Sequence, residues 1–408
     1  MLTSKKNFYL QAFPLFIAVF IDGAGFGLFF PLLNALVVDP RHSLLPADFA
    51  VYWRDLFYGL VVSIYMFTFF IGAAVFGDLS DYLGRRKVLC FCLFGTFLGY
   101  LFSVIAVLCH SFLLLLLGRI IDGSTAGSMP LVQAAIVDIS TADEKARHIG
   151  LVLFFSSCGF ILGPLAGGLL SDSRLVSWFS FATPFYFVAG LALFSFILML
   201  FLLTETLRQK RQSSLRLTRA FQLFAEAFKT KSIRDLSILL LCNILAWGFY
   251  IAYLGFFVWH YYRYSATQVG LLWTVLAVGY AIGFIYLVNK LQRFSTFRVL
   301  LFGFMIVGCL TLLSALLHYA ILIWLFAFVI GMVNGVVYTF IITAFSNRVD
   351  ETKQGWVMGL TGSVMALAMT ISTLIGGFIV DLSAMAPFIA TGVIFLVAGV
   401  FTCCYHPE

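Results

Sequence analysis

The sequence predicts an all-α membrane protein of twelve transmembrane helices, arranged as two pseudo-symmetric halves of six. Three observations carry this. Of the 408 residues, 62% are hydrophobic and only 11% are charged, a balance that soluble globular domains do not show. Apolar runs of about 20 residues, each long enough to cross a hydrocarbon core roughly 30 Å thick as a helix, succeed one another with little between them. The third observation is an internal repeat spaced at about half the chain.

The runs place spans near 10–35, 56–77, 88–109, 112–137, 149–170, 184–203, 236–258, 268–289, 298–317, 320–345, 356–379 and 387–404. Asp22 interrupts the first, and Arg119 and Asp122 the fourth. The runs are continuously apolar rather than alternating, which excludes a β-barrel. The first run follows Lys5 and Lys6, yet it is too long for a cleaved signal peptide and lacks a small-residue cleavage site. It is expected to stay as helix 1.

Orientation follows from the basic residues. With the N-terminus inside, the cytoplasmic pieces gather Lys5, Lys6, Arg85, Arg86, Lys87, Lys145, Arg147, the basic run between Arg208 and Arg234, Lys290, Arg293, Arg298, Arg348 and Lys353. The opposite side has Arg41, Arg54, Arg174 and Arg263. Both termini are therefore expected in the cytoplasm. The short termini and loops suit a multi-pass protein of a bacterial inner (plasma) membrane. A net charge of +7 needs no nucleic acid, because insertion topology and anionic lipid account for basic residues on the inner face. The eight cysteines lie in spans or at their ends and read as buried apolar thiols. No histidine pair has metal-ligand spacing, so no metal site is expected.

The longest charged interval, 204–235, divides the chain into a first half, 1–203, and a second, 236–408. Within this cytoplasmic linker, "LFAEAF" suggests an amphipathic segment lying on a surface. Gly150, Leu151, Gly167, Gly168 and Asp172 of helix 5 recur in helix 11 as Gly359, Leu360, Gly376, Gly377 and Asp381, every pair offset by 209. In helix 4, Asp122-Gly123 meets Asn334-Gly335 at an offset of 212. Duplication followed by divergence explains these matches, and two parallel-repeat halves are the architecture of one large class of secondary transporters.

Between helices 2 and 3 stands "GDLSDYLGRRKVL". Its glycines permit a tight turn and close helix approach, while Asp81 and Arg85 can pair or meet helix ends. The segment resembles the signature loop of the major facilitator superfamily: Gly77, Leu79, Asp81, Gly84, Arg85 and Arg86 match, and Tyr82 replaces the usual basic residue. The resemblance implies the major facilitator fold and a gating role for this loop. Arg85 would pair with Asp138 and Asp81 would face the N-terminus of helix 11. The counterpart in the second half, "NKLQRFSTFRVL", keeps Arg293 and Arg298 but no aspartate.

Three further segments extend the resemblance. Helix 5 carries "GFILGPLAGG", similar to the family's antiporter motif at Gly159, Gly163, Pro164, Gly167 and Gly168. Small residues four apart let helices approach closely, and Pro164 is expected to bend or loosen the helix. Helix 4 gives "RIIDGSTAG", where Arg119, Asp122 and Gly123 share one face and Asp122 replaces the family's usual glutamine. A lone charge in a span costs about 2.5–3.5 kcal/mol on insertion scales, so the pair suggests mutual neutralisation beside a water-accessible cavity; a structural ion pair is the alternative. Helix 1 contains "FIDGAGFGLFFPLL", similar to the first helix of tetracycline-type drug:proton antiporters. Asp22 is its candidate proton or substrate-cation site, since a carboxyl in an apolar cavity can exchange protons; a structural, hydrogen-bonded aspartate is the alternative.

In the second half, Asn243, Trp247, Tyr250 and Tyr253 of helix 7 with Asn334 and Tyr338 of helix 10 offer an amphipathic pocket for bulky solutes. No phosphate-binding loop or catalytic set is present, so neither ATP-driven transport nor enzyme activity has support. The resemblance implies a monomeric, proton-coupled exporter working by alternating access, with Asp22, Arg119 and Asp122 exchanging protons or binding substrate. Its energy source is the proton gradient and it needs no cofactor. Its partners are a small-molecule substrate, protons and the bilayer. An importer or facilitator of a metabolite or siderophore is the rival within transport, and a non-transporting sensor the rival outside it.

Overall fold

The computed structural model describes residues 5–46, 48–141, 144–207, 218–317, 319–349 and 354–404. The first span is α1 (Lys5–Leu33), prolonged by a π-helical turn, Asn34–Val38. α2 covers Val51–Leu83 and α3 covers Arg85–Leu108. The fourth span is two helices, α4 (Phe112–Thr125) and α5 (Ser128–Ile139). α6 (Lys145–Leu170) and α7 (Thr183–Leu202) complete the first half. The linker carries α8 (Arg219–Lys229); its residues 208–217, with their basic run, lie outside the described residues. The second half has α9 (Arg234–Tyr262) and α10 (Ala266–Ile282), which passes through a π-helical turn, Gly283–Leu287, into α11 (Val288–Leu291). α12 (Thr296–Leu316), α13 (Ala320–Asn347), α14 (Gln354–Ile379) and α15 (Ala386–Cys404) follow.

Among the described residues there is no strand. Among these residues, eleven helical segments are long and apolar enough to cross a membrane, and Ala386–Thr402 is a shorter apolar helix. Large apolar side chains stand fully outside, such as Phe201 at 82% exposed and Leu382 at 80%. Lipid satisfies such a surface and water does not.

Two compact units form: Met1–Asp48 with Ile64–Leu217, and Phe49–Ser63 with Thr218–Glu408. In the first, Leu15 and Val19 of α1, Leu89 and Leu93 of α3, Leu131 and Ile136 of α5, Val152 of α6 and Met199 of α7 share one core. In the second, the start of α2 packs on α9, where the Tyr58 hydroxyl donates to the Ala252 carbonyl at 2.6 Å. The linker helix α8 packs on α9 and α14, with Ala220 and Ala227 buried and Trp356 Nε1 donating to Glu226 Oε2 at 2.7 Å.

Two local expectations change. The signature segment is mostly helix, not turn: α2 runs on to Leu83, Gly77 has open space beside it, and only Gly84, with φ +112°, turns the chain. The fourth span, expected to be continuous, breaks at Ala126 and Gly127. There α2 and the span meet backbone to backbone: a Cβ on Gly127 would stand 2.7 Å from Ala73 Cα, and one on Gly72 would meet the Ser124 carbonyl. Pro164 lies inside α6, which is one helix from Lys145 to Leu170.

That continuity serves the contact between α1 and α6. A Cβ on Gly163 would lie 2.8 Å from Ala24 Cα, and one on Gly159 2.9 Å from Ala24 N. From the other side, a Cβ on Gly27 would meet Pro164 Cδ at 2.7 Å. The two backbones touch along a stripe that no side chain could enter. Gly163→Ala is therefore expected to destabilise the protein by about 1–3 kcal/mol through overpacking. Gly190→Ala in α7, where nothing lies within 4 Å, should instead stabilise by about 0.5–1 kcal/mol through helix propensity. Thermal unfolding of the two variants in detergent should shift in opposite directions.

Candidate functional site

The first unit gathers its polar residues where the fourth span breaks. Ser128 is the first residue of α5, and its hydroxyl donates to Asp22 Oδ2 at 2.5 Å. The Asp22 carboxylate thus meets the first residue of α5 at the break. Asp22 remains partly accessible.

Arg119 and Asp122 lie one turn apart on α4, and Arg119 Nη1 meets Asp122 Oδ2 at 3.0 Å with both side chains buried. The guanidinium lies over two rings, 4.4 Å from the centre of Phe29 and 4.0 Å from that of Tyr65. Its positive charge is thus held by a carboxylate and two π faces. Tyr100 and Asp22 both lie close enough to this pair to feel its charge. Asp22, Arg119 and Asp122 therefore form one connected group, with Phe29, Tyr65, Tyr100 and Ser128 as members that sequence reasoning missed. Ser128 carried no signal, because its role depends on a helix break.

The signature segment builds a second charged group. Arg85 Nη1 meets Asp81 Oδ1 at 2.7 Å, and Arg85 Nε lies 3.7 Å from Asp138 Oδ2. Arg85 also donates to the Ser80 hydroxyl, and Arg86 Nη2 to the Leu200 carbonyl. A residue not foreseen closes the group: Glu205 Oε1 accepts from the backbone N of Arg85 at 2.8 Å. It thereby caps the N-terminus of α3, beside the glycine turn. Glu205→Ala is expected to cost about 1 kcal/mol, readable as a lower midpoint in thermal unfolding.

The antiporter-motif residues Gly159, Gly163 and Gly167 face α1, and Pro164 and Gly168 are buried beside them. They frame the helix that carries Asp22.

In the second unit, Asn243, Trp247 and Tyr250 share one face of α9. Trp247 stacks on Tyr250, centroids 5.8 Å apart, and on Tyr280 of α10 at 5.7 Å. Asn243 and Asn334 are 0% and 1% exposed, and neither side-chain amide has a hydrogen-bond partner for its nitrogen or oxygen. Each unsatisfied buried group costs about 1–3 kcal/mol. The Tyr338 hydroxyl lies 3.7 Å from Met365 Sδ. Tyr253 is committed elsewhere, donating to the Thr373 carbonyl at 2.7 Å. No group of metal-ligating side chains occurs among the described residues.

Apolar spans in repeated halves, with an ion pair and a carboxylate gathered at a broken helix, define a membrane transporter. The chain belongs to the Major Facilitator Superfamily, whose profile matches residues 15–373 and, in a second match, 236–408. It is 27% identical over 396 residues to the quinolone resistance protein NorA of Staphylococcus aureus (strain MRSA252), covering 94% of this chain and 93% of that one. It is 28% identical over 363 residues to the class C tetracycline resistance protein of Escherichia coli, covering 88% and 86%. In fold it resembles the human organic anion transporter MFSD10 (TETRAN), with TM-score 0.72, 21% identity and coverage of 97% and 99%. It also resembles a D-xylose-proton symporter, with TM-score 0.80, 14% identity and 98% of both chains covered.

Proposed function

We propose that this transporter is a proton-coupled exporter of small amphipathic solutes, residing in a plasma membrane with both termini in the cytoplasm. The observation that carries the reading is the Asp22 carboxylate, partly accessible and bonded to Ser128 at the break between α4 and α5. On this reading it takes up and releases a proton, and the buried Arg119–Asp122 pair responds to its charge state. Likeness to two resistance proteins supports export. The proton gradient would supply the energy, about 2.3 kcal/mol for one charge crossing 100 mV, without a cofactor. Arg85, Asp81 and Asp138 would bias the gate, and the aromatic group of the second unit would meet the solute.

The test is proton movement in liposomes holding the purified protein, under an imposed pH gradient, as lipophilic cations, tetracycline-like compounds and siderophores are added in turn. Proton flux opposite to the solute is the expected result. Flux in the same direction as the solute would replace the exporter with an importer. No flux with any compound, from folded protein, would overturn proton coupling.

A further inference from the structure

The two halves repeat their ring contacts as well as their glycines. In the first unit Phe26 of α1 meets Tyr65 of α2 at 6.1 Å, and Gly123 of α4 backs onto Tyr65. In the second, Trp247 of α9 stacks on Tyr280 of α10 at 5.7 Å, and Gly335 of α13 backs onto Tyr280. Superposing these contacts pairs Phe26 with Trp247 at an offset of 221, Tyr65 with Tyr280 at 215, and Gly123 with Gly335 at 212. The offset falls steadily toward the 209 that relates α6 to α14, as loops shorten along the second copy.

The same offsets carry Asp22 onto Asn243 and Asp122 onto Asn334. Asp22 and Asp122 are thus each replaced in the second unit by the neutral isostere. Their surroundings differ in a telling way. Asp22 has Ser128 and Asp122 has Arg119, whereas both asparagines are buried without a hydrogen-bond partner. Arg119 has Gly331 as its counterpart. The Tyr65 ring lies under the Arg119 guanidinium, whereas the Tyr280 ring stacks on the indole of Trp247.

We infer that α9, α10 and α13 hold a binding subsite for an uncharged, planar aromatic ligand that presents an amide-like donor and acceptor side by side. The inference rests on the reading of this chain as a carrier of small solutes. An asparagine side chain offers one donor group and one acceptor, so a ligand amide satisfies both. A ligand carboxylate would leave the asparagine oxygens unmet and an ammonium would leave the nitrogens unmet. Neither charge would find a counter-ion on these three helices, since Arg234 and Asp235 stand at the far end of α9 and α10 and α13 have no Asp, Glu, Lys or Arg. Tyr280, backed by the stacked rings of Trp247 and Tyr250, supplies a ring on which an aromatic group stacks. Tyr280, Phe284 and Tyr338 keep part of their surface open, which gives the subsite an accessible edge. Phe284 joins them, 4.8 Å from Tyr280 and 6.4 Å from Tyr338. It lies in the π-helical turn Gly283–Leu287, a local form that is frequent at functional sites.

The test uses three probes with one ring and different heads: 2-naphthamide, 2-naphthoate and 2-naphthylmethylammonium. Binding to the full-length protein in nanodiscs is measured by equilibrium dialysis, with empty nanodiscs subtracted. The amide is expected to bind saturably, and both charged probes roughly tenfold or more weakly. Asn243→Leu and Asn334→Leu should each weaken the amide roughly tenfold or more while the ligand-free variants melt at or above the parent temperature, because an unsatisfied buried amide has been removed. Asn289→Leu, at the exposed end of α11, serves as the control for the substitution. No saturable amide binding by the parent, equal binding by the two variants, or tighter binding of the ammonium would overturn the proposal. So would variants that melt well below the parent, which would make the asparagines packing residues. No gradient is applied, so intact amide binding alongside absent proton flux would remove the coupling reading and leave this one standing.

Discussion

Asp22→Asn is expected to reduce solute-linked proton flux to the level of empty liposomes while the protein remains folded. The substitution keeps the shape of the side chain, and an amide oxygen can still accept the hydrogen bond that Ser128 now donates to Asp22 Oδ2. What disappears is the ability to bind and release a proton. Because the hydrogen bond survives and no charge becomes stranded, the change in stability should stay within about 1 kcal/mol. Two readouts on one preparation separate the effects: thermal unfolding reports the fold and pH-dye quenching in liposomes reports coupling. Undiminished proton flux in a well-folded variant would remove Asp22 from the coupling step.

Arg119→Met should give the largest loss of stability among single substitutions in the first unit. It leaves the Asp122 carboxylate buried without its counter-ion, and removing one member of a buried pair costs about 3–5 kcal/mol. It also takes away the cation that lies over Phe29 and Tyr65, a desolvated arrangement worth about 2 kcal/mol. The double variant Arg119→Met with Asp122→Asn should recover a large part of the loss, because no charge is then left unpaired. Arg119→Lys should recover little, since an ammonium lacks the planar surface that two rings can cover. A thermodynamic cycle over the unfolding of the parent, Arg119→Met, Asp122→Asn and the double variant checks this. A single variant as stable as the parent would mean that Asp122 sheds its charge without penalty and that the pair does not hold the fold.

How much of the site could be read in advance follows from how far its contacts reach along the chain. Arg119 and Asp122 are one helical turn apart, so the spacing alone put them on one face. The stripe of Gly159, Gly163 and Gly167 likewise announced a close helix contact, although not that α1 would fill it. Ser128 was invisible because its partner is 106 residues away and because it depends on a helix break that apolarity does not signal. Glu205 was invisible for a similar reason, capping a helix that begins 120 residues earlier. The segment 77–86 misled in a different way: two glycines suggested a turn, yet only Gly84 adopts a positive φ, and Gly77 is accommodated within the helix.

The sequence by itself determined the apolar spans, their order and the repeat between the halves. A bilayer imposes length and apolarity on every span separately, and those constraints are written residue by residue without reference to partners. Only the tertiary structure decided which polar groups meet. The Arg119 guanidinium finds its two rings, Asp22 finds Ser128, and Asn243 and Asn334 are left without partners, because side-chain contacts between helices depend on where glycines let two backbones touch and on where a helix breaks.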